Sequence, residues 1–210
     1  MQFAEERESV ATLMRRVYDR GLTTTLGGNI SQRVNDDIIA ITPSGVDKGT
    51  IKGEQIGLVT LEGENLTPEL KTSIETELHL GVYRARPDIM HALHAHPPIS
   101  SCFTASEHKI DCTLLIESRA MLGDVVEVGY AMMGSEELAR LVAEGAKNGN
   151  CLLIANHGVL TMGSQQAKTL ERLEALESAA YRTIIMEIIG KARPIAEKEL
   201  QAIDAFMSQK

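Results

Sequence analysis

Short apolar runs of strand length alternate with amphipathic helical stretches along the whole chain, and this interleaving restricts the fold more than any other feature. HALHAH (His91 to His96) alternates until Pro97-Pro98 stops it, and CLLIA (Cys151 to Ala155) is apolar throughout, as expected of a strand buried on both faces. DIIAIT (Asp37 to Thr42), closed by Pro43-Ser44-Gly45, and QIGLVTLEG (Gln55 to Gly63) read as two more strands,. In LTTTLGGNISQRV the Gly27-Gly28-Asn29 turn interrupts two β-prone stretches.

Between the strands, Val10, Leu13, Met14, Val17 and Tyr18 recur at helical spacing, and Gly21 offers a left-handed stop,. A helix is predicted from about Thr72 to Ala85, with Ile74, Leu78 and Gly81/Val82 on one side and Pro87 closing it,. SEELARLVAEGAKN has Ser135 as an N-cap with two acids in its first turn,. Leu170, Leu173, Leu176, Ala180, Ile184 and Ile188 form the stripe of a last long helix from about Ser164 to Ile189,. Helices and strands interleaved from end to end favour a layered α/β arrangement over separate α and β parts. The sequence carries no repeat or low-complexity linker, so residues 1–210 read as one domain,.

Charge and composition narrow the partners. With 43% hydrophobic and 24% charged residues the chain is an ordinary globular one,. Its formal charge of −8 without a basic cluster repels phosphodiester backbones and anionic lipid,. An aromatic content of 3% leaves little for base stacking, so no nucleic-acid partner is expected,. Cys102, Cys112 and Cys151 are odd in number and scattered, which suggests neither a disulfide framework nor a thiolate zinc site,. An acidic start and the lack of any run of about 18 apolar residues predict a cytoplasmic chain with no membrane partner.

Three histidines carry the strongest chemical signal. His94 and His96 are two apart in a strand-like segment, so both imidazoles leave one face about 7 Å apart at their roots, within reach of one metal ion. His91 has the opposite parity. His157 sits in Asn156-His157-Gly158 directly after a buried strand, where the end of a rigid support presents a third imidazole. Three neutral imidazoles plus one carboxylate make a typical site for zinc or a neighbouring transition metal. Glu75 and Glu77 are rivals for the carboxylate: residue 75 shares a helix face with His79, whereas residue 77 lies about 200° around it, and residue physics does not choose between them. The turns at Gly28-Asn29 and Ser44-Gly45 present backbone N–H groups and small polar side chains suited to a phosphate, and Ser73 at a helix start adds another contact.

GGNIS (Gly27 to Ser31), ITPSGV (Ile41 to Val46), SIETELH (Ser73 to His79), HAHPP (His94 to Pro98) and ANHGVL (Ala155 to Leu160), in this order and spacing, resemble the class II aldolase/adducin family, closest to its L-fuculose-1-phosphate aldolase branch. The resemblance implies a three-layer α/β/α fold with a largely antiparallel central sheet, assembled as a homotetramer with active sites at subunit contacts. It implies a lyase that cleaves a ketose 1-phosphate to dihydroxyacetone phosphate and an aldehyde through a metal-stabilised enediolate. Zn2+, or Mn2+ or Co2+, would be held by His94, His96, His157 and Glu75. Glu75 would also be the catalytic acid/base, and Gly28, Asn29, Ser44, Gly45 and Ser73 the phosphate contacts.

Relatives with other outcomes are the sugar-phosphate 4-epimerases, a methylthioribulose-phosphate dehydratase, decarboxylases of four-carbon acid phosphates and the non-catalytic adducin-like modules. The epimerase branch has Asp where this chain has Glu75. Two departures from the aldolase pattern stand out. Ile74 occupies the place of a second serine, with Thr72 as a possible substitute hydroxyl. Leu115 aligns near one family tyrosine, and no tyrosine follows Tyr181 to replace the other. Glu117 and Tyr130 remain as candidate proton donors.

Overall fold

The protein is described here by a computed structural model covering residues 2–209. In chain order the elements are α1 (Ala4–Asp19), β1 (Asn29–Arg33), β2 (Ile38–Ile41), β3 (Gly57–Thr60), α2 (Thr76–Ala85), β4 (His91–Ala95), α3 (Ser100–Phe103), α4 (Ile116–Leu122), β5 (Val126–Val128), α5 (Glu136–Ala146), β6 (Cys151–Ile154), β7 (Gly158–Gly163), α6 (Gln166–Ile189) and α7 (Glu197–Met207). The strands form one seven-stranded sheet in the order β3-β2-β1-β4-β7-β6-β5. Among the described residues only β5 and β6 run parallel; the other neighbours are antiparallel.

Alternation along the strands divides the apolar residues between two clusters. Ile30, Leu58, Leu93, Leu153 and Val159 join Val10, Leu13, Met14 and Val17 of α1 and Leu170, Leu173 and Leu176 of α6. Ile39, Ile41, Ala92, Leu152, Leu160 and Met162 join Leu78 and Val82 of α2 and Leu138 and Val142 of α5. Burial on both sides explains why β6 reads as a continuous apolar run,. Ser135 caps α5 by accepting the Leu138 N–H at 3.1 Å, a contact typically worth about 1 kcal/mol.

Several boundaries differ from the sequence expectation for identifiable reasons. α2 begins at Thr76 rather than near Thr72, because local bonds claim the preceding residues: Glu75 N–H donates to Ser73 Oγ, and Thr76 Oγ1 donates to the Ser73 carbonyl,. Ile74, assigned by periodicity to the inner stripe, is therefore 54% exposed. α1 extends back to Ala4 through Glu5 and Glu6, acids that suit a helix N-terminus but carry no apolar period,. Leu22–Leu26 is not a strand. Both α7 and the short elements between Ser100 and Val128 went unread, their apolar residues being too irregular to set a period.

The center of the sheet fixes what lies at its end. β4 is sandwiched between β1 and β7, with Asn29 opposite His94 on one side and Leu160 opposite His94 on the other. Close approach is required here. A Cβ on Gly28, whose φ is +70°, would lie 2.8 Å from the His94 carbonyl oxygen, and one on Gly158 would lie 2.7 Å from the Ala95 carbonyl oxygen,. His91 starts β4 on the opposite face from His94 and is not part of the histidine cluster found among the described residues.

His79 of α2 is fully buried, and burial pushes its pKa down to about 4, opposed by Glu75. Because the unfolded chain takes up this proton first, the stabilisation is complete above the ordinary histidine range and is lost as pH falls from about 6.5 toward 4. Urea unfolding of the metal-free protein is expected to show a free energy lower at pH 5 than at pH 7.5, with His79 alone contributing on the order of 2 kcal/mol. Equal values at the two pH values would contradict a neutral, buried His79.

Candidate active site

The hairpin that joins β6 to β7 turns through Asn156, whose φ is +53°, a left-handed conformation that Asn tolerates better than most residues. This turn delivers His157 beside the end of β4. His94 leaves β4 on the α2 side, and His96, two residues on, follows it just beyond the strand. The ring centroids of His94 lie 4.8 Å from those of both His96 and His157, and His96 and His157 are 5.6 Å apart. One nitrogen from each ring can be chosen so that all three lie within 4.8 Å of one another. A tetrahedral zinc site needs about 3.4 Å between such atoms, so closure calls for only small side-chain rotations.

Glu75 is the carboxylate at this cluster. Its Oε1 is 2.9 Å from His157 Nε2 and 3.5 Å from His94 Nε2. Its Oε2 accepts from Asn29 Nδ2 at 2.6 Å. Glu77, in the first turn of α2, points outward and pairs with Arg84 at 3.0 Å on the surface. Helix geometry separated the two acids; the bonds around Ser73 decide which of them turns inward.

Protonation is set by surroundings. Burial raises the cost of ionising Glu75, but hydrogen bonding from His157, the neighbouring His94 and the Asn29 amide outweigh it and hold the carboxyl well below its usual range,. His94 is depressed to about 3, first by burial and against the pull of Glu75, and burial also lowers His96. The imidazole of His94 is therefore neutral. Its Nδ1–H donates to the Val159 carbonyl at 2.9 Å, which leaves the Nε2 lone pair turned into the site,. That buried Nε2 has no hydrogen-bond donor and faces Glu75 Oε1 at 3.5 Å. Two acceptors in that relation suit a cation between them, and the three imidazoles plus one carboxylate fit a divalent transition metal.

Of the residues considered for a phosphate, Asn29 and Ser73 are bonded to each other and to Glu75. Ser44 N–H donates to the Lys71 carbonyl at 3.0 Å, which anchors its turn two residues before Ser73. Gly45, at φ +72°, has open space where a side chain would be. Ser73 Oγ accepts from Glu75 N–H at 3.2 Å and from Asn29 Nδ2 at 3.3 Å, so its own hydrogen is left to donate elsewhere. Asn29 spends its amide hydrogens on Glu75 and Ser73 and so links the carboxylate to the serine. The other candidates lie apart from this arrangement in chemical terms: Glu117 pairs with Arg182 at 3.5 Å, and Tyr130 is 63% exposed.

Sequence reasoning missed four residues behind the site. Lys48 is buried beneath the Ser44 turn, where its Nζ donates to the Pro43 carbonyl at 3.1 Å. No sequence signal marks it, since lysines are ordinarily exposed. Ser31, His79 and Tyr83 continue inward from Asn29, with His79 Nε2 2.5 Å from Asn29 Oδ1, Ser31 Oγ 2.6 Å from His79 Nδ1 and Tyr83 Oη 2.9 Å from Ser31 Oγ. Their signal was available: Glu75, His79 and Tyr83 are spaced four apart on a helix, and Asn29 and Ser31 two apart on a strand, so each set lies on one face.

Comparison with known proteins agrees with this geometry. The class II aldolase and adducin N-terminal domain profile matches residues 8–184. A 5-deoxy-D-ribulose 1-phosphate aldolase of Bacillus thuringiensis serovar kurstaki is 28% identical over 203 residues, 96% of this chain and 94% of its own. A 3-oxo-tetronate 4-phosphate decarboxylase of Haemophilus influenzae is 29% identical over 180 residues, 83% of this chain and 85% of its own. Among solved structures, an L-fuculose 1-phosphate aldolase superposes with a TM-score of 0.90 at 25% identity, covering 99% of this chain and 98% of that one. A histidine cluster at the end of the central strands and a profile match across most of the length lead to one assignment: the chain belongs to the class II aldolase and adducin N-terminal domain family.

Proposed function

We propose that this protein is a metal-dependent aldolase that cleaves a ketose 1-phosphate of the L-fuculose 1-phosphate type to dihydroxyacetone phosphate and an aldehyde. The observation that carries the reading is the approach of Glu75 Oε1 to His157 and His94 beside a serine, Ser73, with a hydroxyl hydrogen free to donate. In this reading His94, His96, His157 and Glu75 hold Zn2+, with Mn2+ and Co2+ as alternatives for the same donors. The cation, when bound, supplies Lewis-acid stabilisation of the negative charge that cleavage leaves on the substrate.

The protein's own groups perform the remaining tasks. Ser73 Oγ–H, the Ser44–Gly45 turn and the Gly28–Asn29 turn bind and orient the phosphate, which fixes the C3–C4 bond relative to Glu75. As that bond breaks, the C4 hydroxyl becomes the aldehyde carbonyl and its proton passes to the Glu75 carboxylate, the electron pair of the bond stays on C3, and the Glu75 carboxyl then delivers the proton to that carbon. Neutral imidazoles preserve the positive charge of the center, which thiolates would cancel. The three-layer α/β/α packing and the homotetramer belong to the same proposal. The first is supported by apolar clusters drawing on alternate strand residues, and the second by exposed Leu26, Ile74, Tyr130 and Met132.

A second reading is decarboxylation of a four-carbon acid phosphate. It is favoured by Leu115 standing where a phenol is expected and by the lack of any tyrosine after Tyr181, because loss of CO2 leaves no hydroxyl proton to be removed. A coupled assay on a panel of ketose 1-phosphates, beside 3-oxo-tetronate 4-phosphates, separates the two. Triose phosphate release is expected. CO2 release without triose phosphate from any ketose would replace the aldolase reading.

Elemental analysis and kinetics of variants test the residues. One transition-metal ion per chain is expected in the wild type. His94→Ala is expected to lose both metal and turnover, and Glu75→Gln to lower kcat by roughly 10²- to 10⁴-fold. A wild type that neither contains a transition metal nor acquires one on dialysis against zinc would favour a non-catalytic, adducin-like role.

A further inference from the structure

The buried hydrogen bonds behind Glu75 form a chain whose direction follows from which groups are able to donate. At the inner end Tyr83 Oη lies 2.9 Å from Ser31 Oγ. From the opposite end, the Glu75 carboxylate only accepts, so the group 2.6 Å from Oε2 is the Asn29 amine. Asn29 Oδ1 therefore faces His79 Nε2 at 2.5 Å, and that nitrogen carries the hydrogen,. A neutral His79 has its lone pair on Nδ1, where the Ser31 hydroxyl donates at 2.6 Å. The carboxylate end thus orients every member: with Ser31 donating to His79, its oxygen is left to accept the Tyr83 hydroxyl, and Asn29, Ser31, His79 and Tyr83 are all buried.

We propose that His79 is a positioning residue for Glu75, acting through Asn29, and that its Nε2–H tautomer, matched by the Ser31 and Tyr83 hydroxyls, keeps the Asn29 amide nitrogen turned toward the carboxylate. This rests on Glu75 being the metal-binding acid/base. The two orientations of an amide have nearly the same shape, so packing does not choose between them. With the hydrogen on Nδ1 instead, His79 would present a lone pair to Asn29 and attract its amine. Asn29 Oδ1 would then face Glu75, a charge-assisted bond would become a contact between acceptors, and the carboxylate would be displaced from its place against His157. Ser73, which accepts the second Asn29 hydrogen, would lose its link through Asn29 to the Glu75 carboxylate in the same event and keep only the Glu75 N–H.

Two measurements on the full chain test this. Histidine-selective 15N spectroscopy of the metal-free protein is expected to show His79 as the Nε2–H tautomer, and an Nδ1–H tautomer overturns the proposal. Calorimetric titration with Zn2+ is expected to show His79→Leu weakened about tenfold to a hundredfold, and His79→Gln, which keeps an N–H within reach of Asn29, within about threefold of wild type. Unchanged near-ultraviolet circular dichroism excludes misfolding as the cause, and if His79→Leu does not fold, the tautomer and the glutamine variant still decide.

Zn2+ affinity lost in Glu75→Gln but kept in His79→Leu would overturn the positioning role alone, as would a His79→Gln no better than His79→Leu. A Glu75→Gln that binds Zn2+ and turns over like the wild type removes the reading of Glu75, and this inference with it, even if the tautomer is as expected.

Discussion

The pairing of β4 with β1 on one side and β7 on the other is the constraint from which the site follows. It brings Asn29 level with His94 and places the β6–β7 turn, with His157, beside the end of the same strand. Backbones approach so closely here that Gly28 and Gly158 have no room for a side chain. Three imidazoles from two separate segments thus converge by sheet register alone, without any long flexible side chain having to find its place. Sites supported by regular elements in this way are held more narrowly than sites on loops.

Glu75 comes from outside the sheet, and its position has a different origin. It sits immediately before α2, in a turn held by Ser73, and its carboxylate is drawn beneath the helix by Asn29. The carboxylate is buried, yet it remains ionised because donors surround it, while burial keeps His94 and His79 neutral. A buried anion facing uncharged nitrogen lone pairs is an arrangement whose natural complement is a cation. The same Asn29 amide touches Ser73, so the proposed metal center and the proposed phosphate contacts share a hydrogen-bond network.

Much of this was legible in the sequence where a period or a parity carries information. Strand parity put His94 and His96 on one face and His91 on the other, and the apolar run of β6 announced a strand covered on both sides. The long helix α6 and the capped helix α5 were readable from their stripes. Parity failed to speak where backbone bonds rather than apolar spacing set the structure. The start of α2 was misread because Ser73 and Thr76 hydroxyls replace a helical turn, and the choice between Glu75 and Glu77 depended on that same turn. Lys48 left no trace because a buried lysine contradicts the usual behaviour of its residue type. His79, Ser31 and Tyr83 were visible as spacings of four and two, but a spacing has no meaning until the two elements are known to face each other.

The most direct test of the convergence is diffraction from crystals of the zinc-loaded protein, measured at the zinc absorption edge. The expected result is one anomalous peak per chain at about 2.0–2.2 Å from a nitrogen of each of His94, His96 and His157 and from an oxygen of Glu75. A peak that omits any of the three imidazoles, or zinc bound only elsewhere on the surface, would contradict the site described above.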